Sequence, residues 1–310
     1  MLQRKPAVEV AAFLRSLSPA QLLAVFKTGT AGMYLTPRPI RDGIILPKHA
    51  LPDLFRSGAW NRIPVILGSN RDEYRAFIAD KPEHAWLLPG KVPMLRNRAE
   101  YLAEAGFLSK LWRAVHVDEP ADALLAGGHS EVWTYRFDWD EAPAVPMLRP
   151  DLLFGAAHGM EMPFAFRDVA GELDLFKVNT PFNRAGRVAT ARAMGDAWTS
   201  FARTGVPSLP DGLEWQHRTI GREPDSLVID SPKGGGLRME GLRADVCSLK
   251  DTLRRSRDLA TDTARCRIYA RAFLWSPLFA RYGSRTEYAD WCKEFGCNAP
   301  AHAFRPVMEV

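Results

Sequence analysis

At 310 residues, 46% apolar and 25% charged, the sequence has the size and composition of a globular protein of one large or two ordinary domains. Its net charge of +5, from 41 basic and 36 acidic residues, is too small an excess to argue for a nucleic-acid partner. No run of eighteen apolar residues marks a membrane span. The basic start Met1–Pro6 leads into an apolar run broken by Glu9 and Arg15, which is no signal peptide, so a cytoplasmic protein is expected. The four cysteines, Cys247, Cys266, Cys292 and Cys297, allow two disulfides in three pairings, but reduced thiols are the expected state in that compartment. Cys292 and Cys297, with only His302 nearby, make a poor zinc set.

In chain order, residues 7–27 read as two helices, with Ser18-Pro19 as N-cap and first position of the second. The stretch 34–47 holds three prolines and Asp42-Gly43, a loop with a turn. Leu51 to Phe55 is a short helix that Gly58 ends. Ile63 to Asn70 is a continuous apolar, β-branched run ending in Gly-Ser-Asn. It predicts a central strand of a parallel sheet, buried on both faces. The turn after it delivers Asp72 and Glu73 beyond the carboxyl end of a strand, where α/β sheets place their sites. Asp72 is expected to cap the next helix.

Residues 76–126 read as mostly helical, with Pro82–Pro93 a loop whose Trp86, Leu87 and Leu88 are candidates to line an apolar pocket. Residues 131–140 alternate strictly: Trp133, Tyr135, Phe137 and Trp139 form one greasy face, opposite Val132, Thr134, Arg136 and Asp138. A proline-rich loop, 143–150, leads into Gly155-Ala-Ala-His158-Gly159-Met-Glu161-Met-Pro-Phe164. Small residues there let backbone and substrate approach an imidazole, the side chain best suited to move a proton near neutral pH. Residues 185–204 form an amphipathic helix with Gly205 as its cap. A Pro/Gly-rich tail follows, with Trp215 and a short strand at 226–229. From about 245 arginines and aspartates intermix on helical sequence. The pattern predicts a solvated, ion-paired face, with an anionic-polymer or membrane patch as the rival reading.

Four of these stretches, in order, resemble the type B carboxylesterase (cholinesterase-like) family of α/β-hydrolases. They are Asp42-Gly-Ile-Ile-Leu-Pro47, Val65-Ile-Leu-Gly-Ser-Asn-Arg-Asp-Glu73, Ala156-Ala-His-Gly-Met-Glu-Met-Pro-Phe164, and Trp198–Pro207 with Trp215. The resemblance spans about residues 8–230. It implies an α/β fold: the C-terminal portion of an α/β-hydrolase, with an incomplete, mostly parallel sheet flanked by many helices. Residues 1–240 would be the family's part and 241–310 a helical, cysteine-containing extension. It implies Glu73 as the acid and His158 as the base of a Ser-Glu-His triad acting on a small uncharged carboxylic ester. Such a mechanism needs no cofactor and no metal. Glu161 is expected to be structural. Trp139 joins Trp86, Leu87 and Leu88 as a pocket candidate, and Tyr74 stands where the family often has glycine.

The sequence departs from the family at the nucleophile. No G-x-S-x-G occurs in the 310 residues, and no glycine-rich oxyanion loop. Ser130 follows Gly127-Gly128-His129 but precedes a strand instead of a helix. The expectation is a C-terminal region that is inactive alone, its serine supplied by a missing N-terminal half or a partner chain, with an unpaired strand edge prone to aggregation. The alternative is a non-catalytic, esterase-like binding protein.

Overall fold

The computed structural model describes residues 5–26, 39–89, 92–144, 149–168, 171–174, 177–259 and 261–305. Met1–Arg4 and parts of the loops expected at 34–47 and 143–150 lie outside them. The chain forms two units, residues 1–48 with 305–310, and residues 49–304. The first unit carries α1 (Ala7–Ser16) and α2 (Pro19–Leu23). Ser18 caps α2 as its sequence requires, with the reciprocal Gln21 contact of a capping box. Asp42 makes the expected turn, its Oδ1 accepting from the amides of Ile44 and Ile45.

The second unit begins with α3 (Leu51–Ser57), closed by Gly58. Next come β1 (Val65–Asn70), α4 (Arg75–Ile78), β2 (Ala85–Leu88), β3 (Val92–Leu95) and α5 (Arg98–Arg113). One π-turn (Ala114–Asp118) links α5 to α6 (Glu119–Ala126). After β4 (Val132–Phe137) come α7 (Pro150–Leu153), α8 (Met162–Ala165), α9 (Arg184–Thr204), β5 (Ser226–Ile229) and β6 (Arg238–Glu240). Helices α10 (Val246–Arg255), α11 (Asp262–Ala270) and α12 (Arg285–Phe295) complete it.

The main sheet has the order β1-β4-β5-β6. Strands β1, β4 and β5 run parallel, in register from Val65↔Val132 to Asn70↔Phe137 and from Tyr135↔Leu227 to Phe137↔Ile229. Strand β6 is antiparallel. This is the expected α/β arrangement, a mostly parallel sheet flanked by helices. Two local expectations change. Among the described residues β1 has one strand neighbour, β4, so it is the unpaired edge expected of an incomplete sheet, but four of its six residues are half-buried instead of buried on both faces. The doubly buried centre is β4. Its Trp133 and Phe137 pack under α9 with Met194 and Ala197, and Val132 packs under α6 with Ala121 and Leu124. A strand between two others and covered by helices on both sides has no solvated face, so the alternation reports which helix each residue meets. Thr134 is buried too, its hydroxyl donating to the Asp225 carbonyl.

The stretch expected as a loop at 82–93 carries strand β2 and the start of β3. There β2 pairs antiparallel with β3, Trp86 and Leu87 are exposed, and Arg96 lies 4.8 Å over the Trp86 ring. Trp139 is fully buried against Phe164. The expectation of reduced thiols also gives way: Cys266 and Cys297 are disulfide-bonded, while Cys247 and Cys292 are free. The chain reverses at Gly296 after α12 and brings Cys297 back beside α11, with a Cα–Cα separation of 6.6 Å.

The arginine-rich tail is ion-paired as expected. Lys250 bonds Glu287, Arg254 bonds Asp251 and Glu294, and Arg265 bonds Asp262. Arg267 and Arg271 reach further, to Glu100 and Glu104 on α5 and to Glu83. Among the described residues no helix is long and apolar enough to cross a membrane.

Candidate active site

Strand β1 ends at Asn70, and the four-residue turn 71–74 carries Glu73 beyond the strand's carboxyl end. The Arg71 amide still donates to Phe137 O, at 2.9 Å, so the turn leaves the sheet in a set direction. The Asn70 amide donates to Glu73 Oε1 at 2.7 Å, folding the carboxylate back over the strand end. Ser109 Oγ of α5 accepts from the Tyr74 amide and donates to Ala105 O, which ties the turn to that helix. Glu73 is thereby buried, its side chain 4% exposed.

The histidine loop is fastened to the same turn. The Asp72 amide donates to Ala156 O and the Ala156 amide to Asp72 Oδ2, each at 3.0 Å. Asn70 Nδ2 donates to Ala157 O at 2.7 Å and also to Glu161. Asp72 pairs with Arg71 and Arg75, and Arg75 reaches Asp151 O on α7. So Asp72 does not cap the helix with its carboxylate. A buried carboxylate needs several donors, and the neighbouring loop's amide and two guanidiniums satisfy it better than one helix end.

Gly155 makes this clamp possible. Its φ is +54°, and a Cβ there would stand 2.3 Å from Asp72 Oδ2 and 2.5 Å from Arg75 Nη1. Gly155→Ala combines left-handed strain of about 1–2 kcal/mol with displacement of a buried hydrogen-bonded carboxylate, about 1–3 kcal/mol. A stability loss above about 2 kcal/mol is expected in chemical denaturation. An unchanged midpoint would show that the clamp adds nothing.

These fastenings set His158 Nδ1 2.7 Å from Glu73 Oε2. The imidazole therefore carries its proton on Nδ1 toward the carboxylate and keeps Nε2 as the basic edge. The side chain is 41% exposed, so the pair has a buried acid and an accessible base. Two rings flank the imidazole: Phe77 of α4 at 5.4 Å between centroids and Trp112 of α5 at 5.3 Å. The His158 pKa is raised above its ordinary 6.5. The hydrogen bond that His158 donates to Glu73 is the largest cause, burial opposes it, and the charges of Glu73 and Glu161 add to it. This arrangement orients a base and stabilises it once protonated.

The structure brings together both residues the family resemblance assigned, and Glu161 accepts from Asn70 Nδ2 beside them. It separates Ser130 from them. Ser130 precedes β4 and the pair lies past the opposite end of the parallel strands, roughly 20 Å away at ~3.3 Å per residue. Sequence reasoning missed Asn70 and Asp72 as the clamp and Trp112 and Phe77 as ring neighbours. A run of polar residues closing an apolar strand was the available signal for the clamp. Nothing local marks Trp112, which reaches the site from 39 residues beyond Glu73.

No family model matches the chain. The fumonisin B1 esterase of Sphingopyxis macrogoltabida is 29% identical over 230 residues, covering 66% of this chain and 38% of that protein. A probable N-octanoylanthranilate hydrolase of Rhodococcus erythropolis is 29% identical over 135 residues, covering 40% of this chain and 26% of that one. Among solved structures, the Geobacillus stearothermophilus carboxylesterase EST55 is 27% identical with a TM-score of 0.48, covering 74% of this chain and 48% of its own. Aspergillus niger EstA is 16% identical with a TM-score of 0.47, covering 78% and 50%. The chain spans less than two fifths of the length of these curated relatives. Over that part it resembles carboxylesterases of the type B, α/β-hydrolase class.

Proposed function

We propose that the chain supplies the acid and base, Glu73 and His158, of a Ser-Glu-His carboxylic ester hydrolase. The observation that carries this reading is the 2.7 Å contact between a buried Glu73 carboxylate and Nδ1 of an accessible His158. His158 Nε2 takes the proton of a serine as it attacks the ester carbonyl. Glu73 holds the tautomer and stabilises the imidazolium, and His158 then returns the proton to the leaving alcohol. The aromatic neighbours Phe77 and Trp112 favour an uncharged ester. The serine and the oxyanion donors come from polypeptide outside these 310 residues, either in a longer gene product or in a partner chain. The open side of β1 is where that polypeptide would continue the sheet. The chain by itself is then inactive, because an oxyanion hole alone contributes about 3–4 kcal/mol to such chemistry.

The test is the intact mass of the native protein in its host, followed by hydrolysis of 4-nitrophenyl acetate by the species found. Expected are a species above 34.7 kDa, or a complex with a second chain, and a loss of about 10³-fold or more in kcat on His158→Ala. An active species indifferent to His158→Ala would overturn the reading. The absence of G-x-S-x-G favours one alternative, an esterase-like binding protein. A 34.7 kDa monomer without hydrolytic activity is the result that would select it.

A further inference from the structure

Residues 245–304 have so far no part in the Glu73–His158 chemistry. Their packing gives them one. Leu249, Leu253, Ile268, Tyr269, Phe273 and Phe279 share a single core with residues of α5 such as Tyr101, Leu108 and Leu111. Phe279 is fully buried, and its ring lies 6.0 Å from that of Tyr74 and 5.9 Å from that of His116. Tyr74 follows the acid directly in sequence. Its ring contacts Trp112 at 6.0 Å and Phe77 at 5.7 Å, the same two rings that flank His158. An unbroken series of ring contacts thus runs from Phe279 through Tyr74 to both sides of the imidazole. The tail is also pinned to the elements that carry the site, through Arg267 with Glu100 and Glu104 and through Arg271 with Glu83.

We propose that Phe279 and Tyr74 are positioning residues for the Glu73–His158 pair, and that the C-terminal helices are for that reason a working part of the site. A half-exposed imidazole keeps its alignment only if its flanking rings are held from behind, since close-packed neighbours leave few alternative rotamers. Tyr74 is held by Phe279, and Trp112 by Tyr74 and by His116, whose ring lies 4.5 Å from it. The bridge needs a large ring at position 74, which Tyr74 supplies. This proposal rests on the esterase reading for its purpose, but its test does not need the serine.

The test is proton NMR of the full chain. It reads the far-downfield His158 Nδ1–H resonance bonded to Glu73 and the titration of His158 Cε1–H. The carboxylates facing His158 are Glu73 and Glu161. His116, whose pKa burial lowers against the raising effect of its bond to Trp112 O and beside the charges of Arg281, Glu73 and Glu119, is assigned by His116→Gln. Phe279→Ala is expected to broaden or abolish the Nδ1–H signal and to lower the His158 protonation constant about threefold or more. Phe279→Leu, which keeps most of the volume, should restore most of both. Leu253→Ala, a deletion in the same core away from the bridge, should cost stability and leave both readouts in place. Should Phe279→Ala unfold, Tyr74→Leu reads the same bridge. Equal effects of Leu253→Ala and Phe279→Ala, or no effect of either bridge variant, would overturn the proposal. If the pattern holds but the longer species hydrolyses no ester, the esterase reading falls and the positioning role stands.

Discussion

Glu73→Gln is expected to bring the His158 pKa down and, in the hydrolase proposed above, to lower kcat by about 10³–10⁴, the scale of the Asp→Asn change in a Ser-His-Asp triad. The substitution keeps the size of the side chain and removes its charge. It takes away the two contributions by which Glu73 raises the His158 pKa, the hydrogen bond and the charge, and leaves burial, which lowers it, opposed only by Glu161. The amide can also turn its NH₂ toward the ring, which selects the wrong tautomer. Because the base works as the neutral imidazole, the wild-type acid limb of the pH–rate profile should lie above the ordinary histidine value of 6.5, and the variant's should move to lower pH. The stability effect has its own sign. A raised folded-state pKa contributes stability that is full below 6.5 and is lost as the pH rises through the folded value, so the gap between wild type and variant should narrow toward alkaline pH. Titration of His158 Cε1–H at the wild-type position in Glu73→Gln would sink the assignment of Glu73 as the acid partner.

Arg267→Met is expected to cost about 3–5 kcal/mol at neutral pH, because it strands a buried carboxylate. Glu104 is 1% exposed, and its charge is held by Arg267 at 2.7 Å and by His84, whose Nε2 is 3.1 Å away. Burial pushes the Glu104 pKa up, but the neighbouring His84 and the Arg267 charge overcome it and hold the group at about 2, below its ordinary 4.5. A depressed folded-state pKa means that the pair's contribution is present above pH 4.5 and fades as the pH falls toward 2. The deficit of Arg267→Met should therefore be largest at pH 7 and shrink in acid, where Glu104 of the variant protonates. Adding Glu104→Gln to Arg267→Met should recover part of the loss, because a neutral amide is cheaper to bury than an unpaired carboxylate. Denaturation midpoints at pH 7 and pH 4 decide the matter. A loss under about 1 kcal/mol at both would mean that water or another cation replaces Arg267.

The sequence by itself determined the elements with strong local signals. Ser18-Pro19 starts α2, Gly58 ends α3, the apolar run before Asn70 makes β1, and residues 184–204 with Gly205 make α9. Each follows from chemistry within a few residues: a cap, a left-handed glycine, a period of two or of 3.6. The family resemblance added Glu73 and His158, which the fold sets 2.7 Å apart. An apolar run reports burial but not how many strands lie beside it: by itself it predicts a central strand, and only the missing upstream part of the family pattern predicts the unpaired edge that β1 forms in the described sheet. Tertiary structure alone decided the rest. Asp72 looked like a helix cap because its donor on the histidine loop, the Ala156 amide, is 84 residues away. Trp112 carries no local mark, since only the packing of α5 beside the turn sets its ring against His158. The same holds for Phe279 and for the Cys266–Cys297 bond. Periodicity and caps are properties of neighbours in sequence. The clamp, the ring contacts and the buried ion pairs join residues far apart in it, and they exist only once the chain has folded.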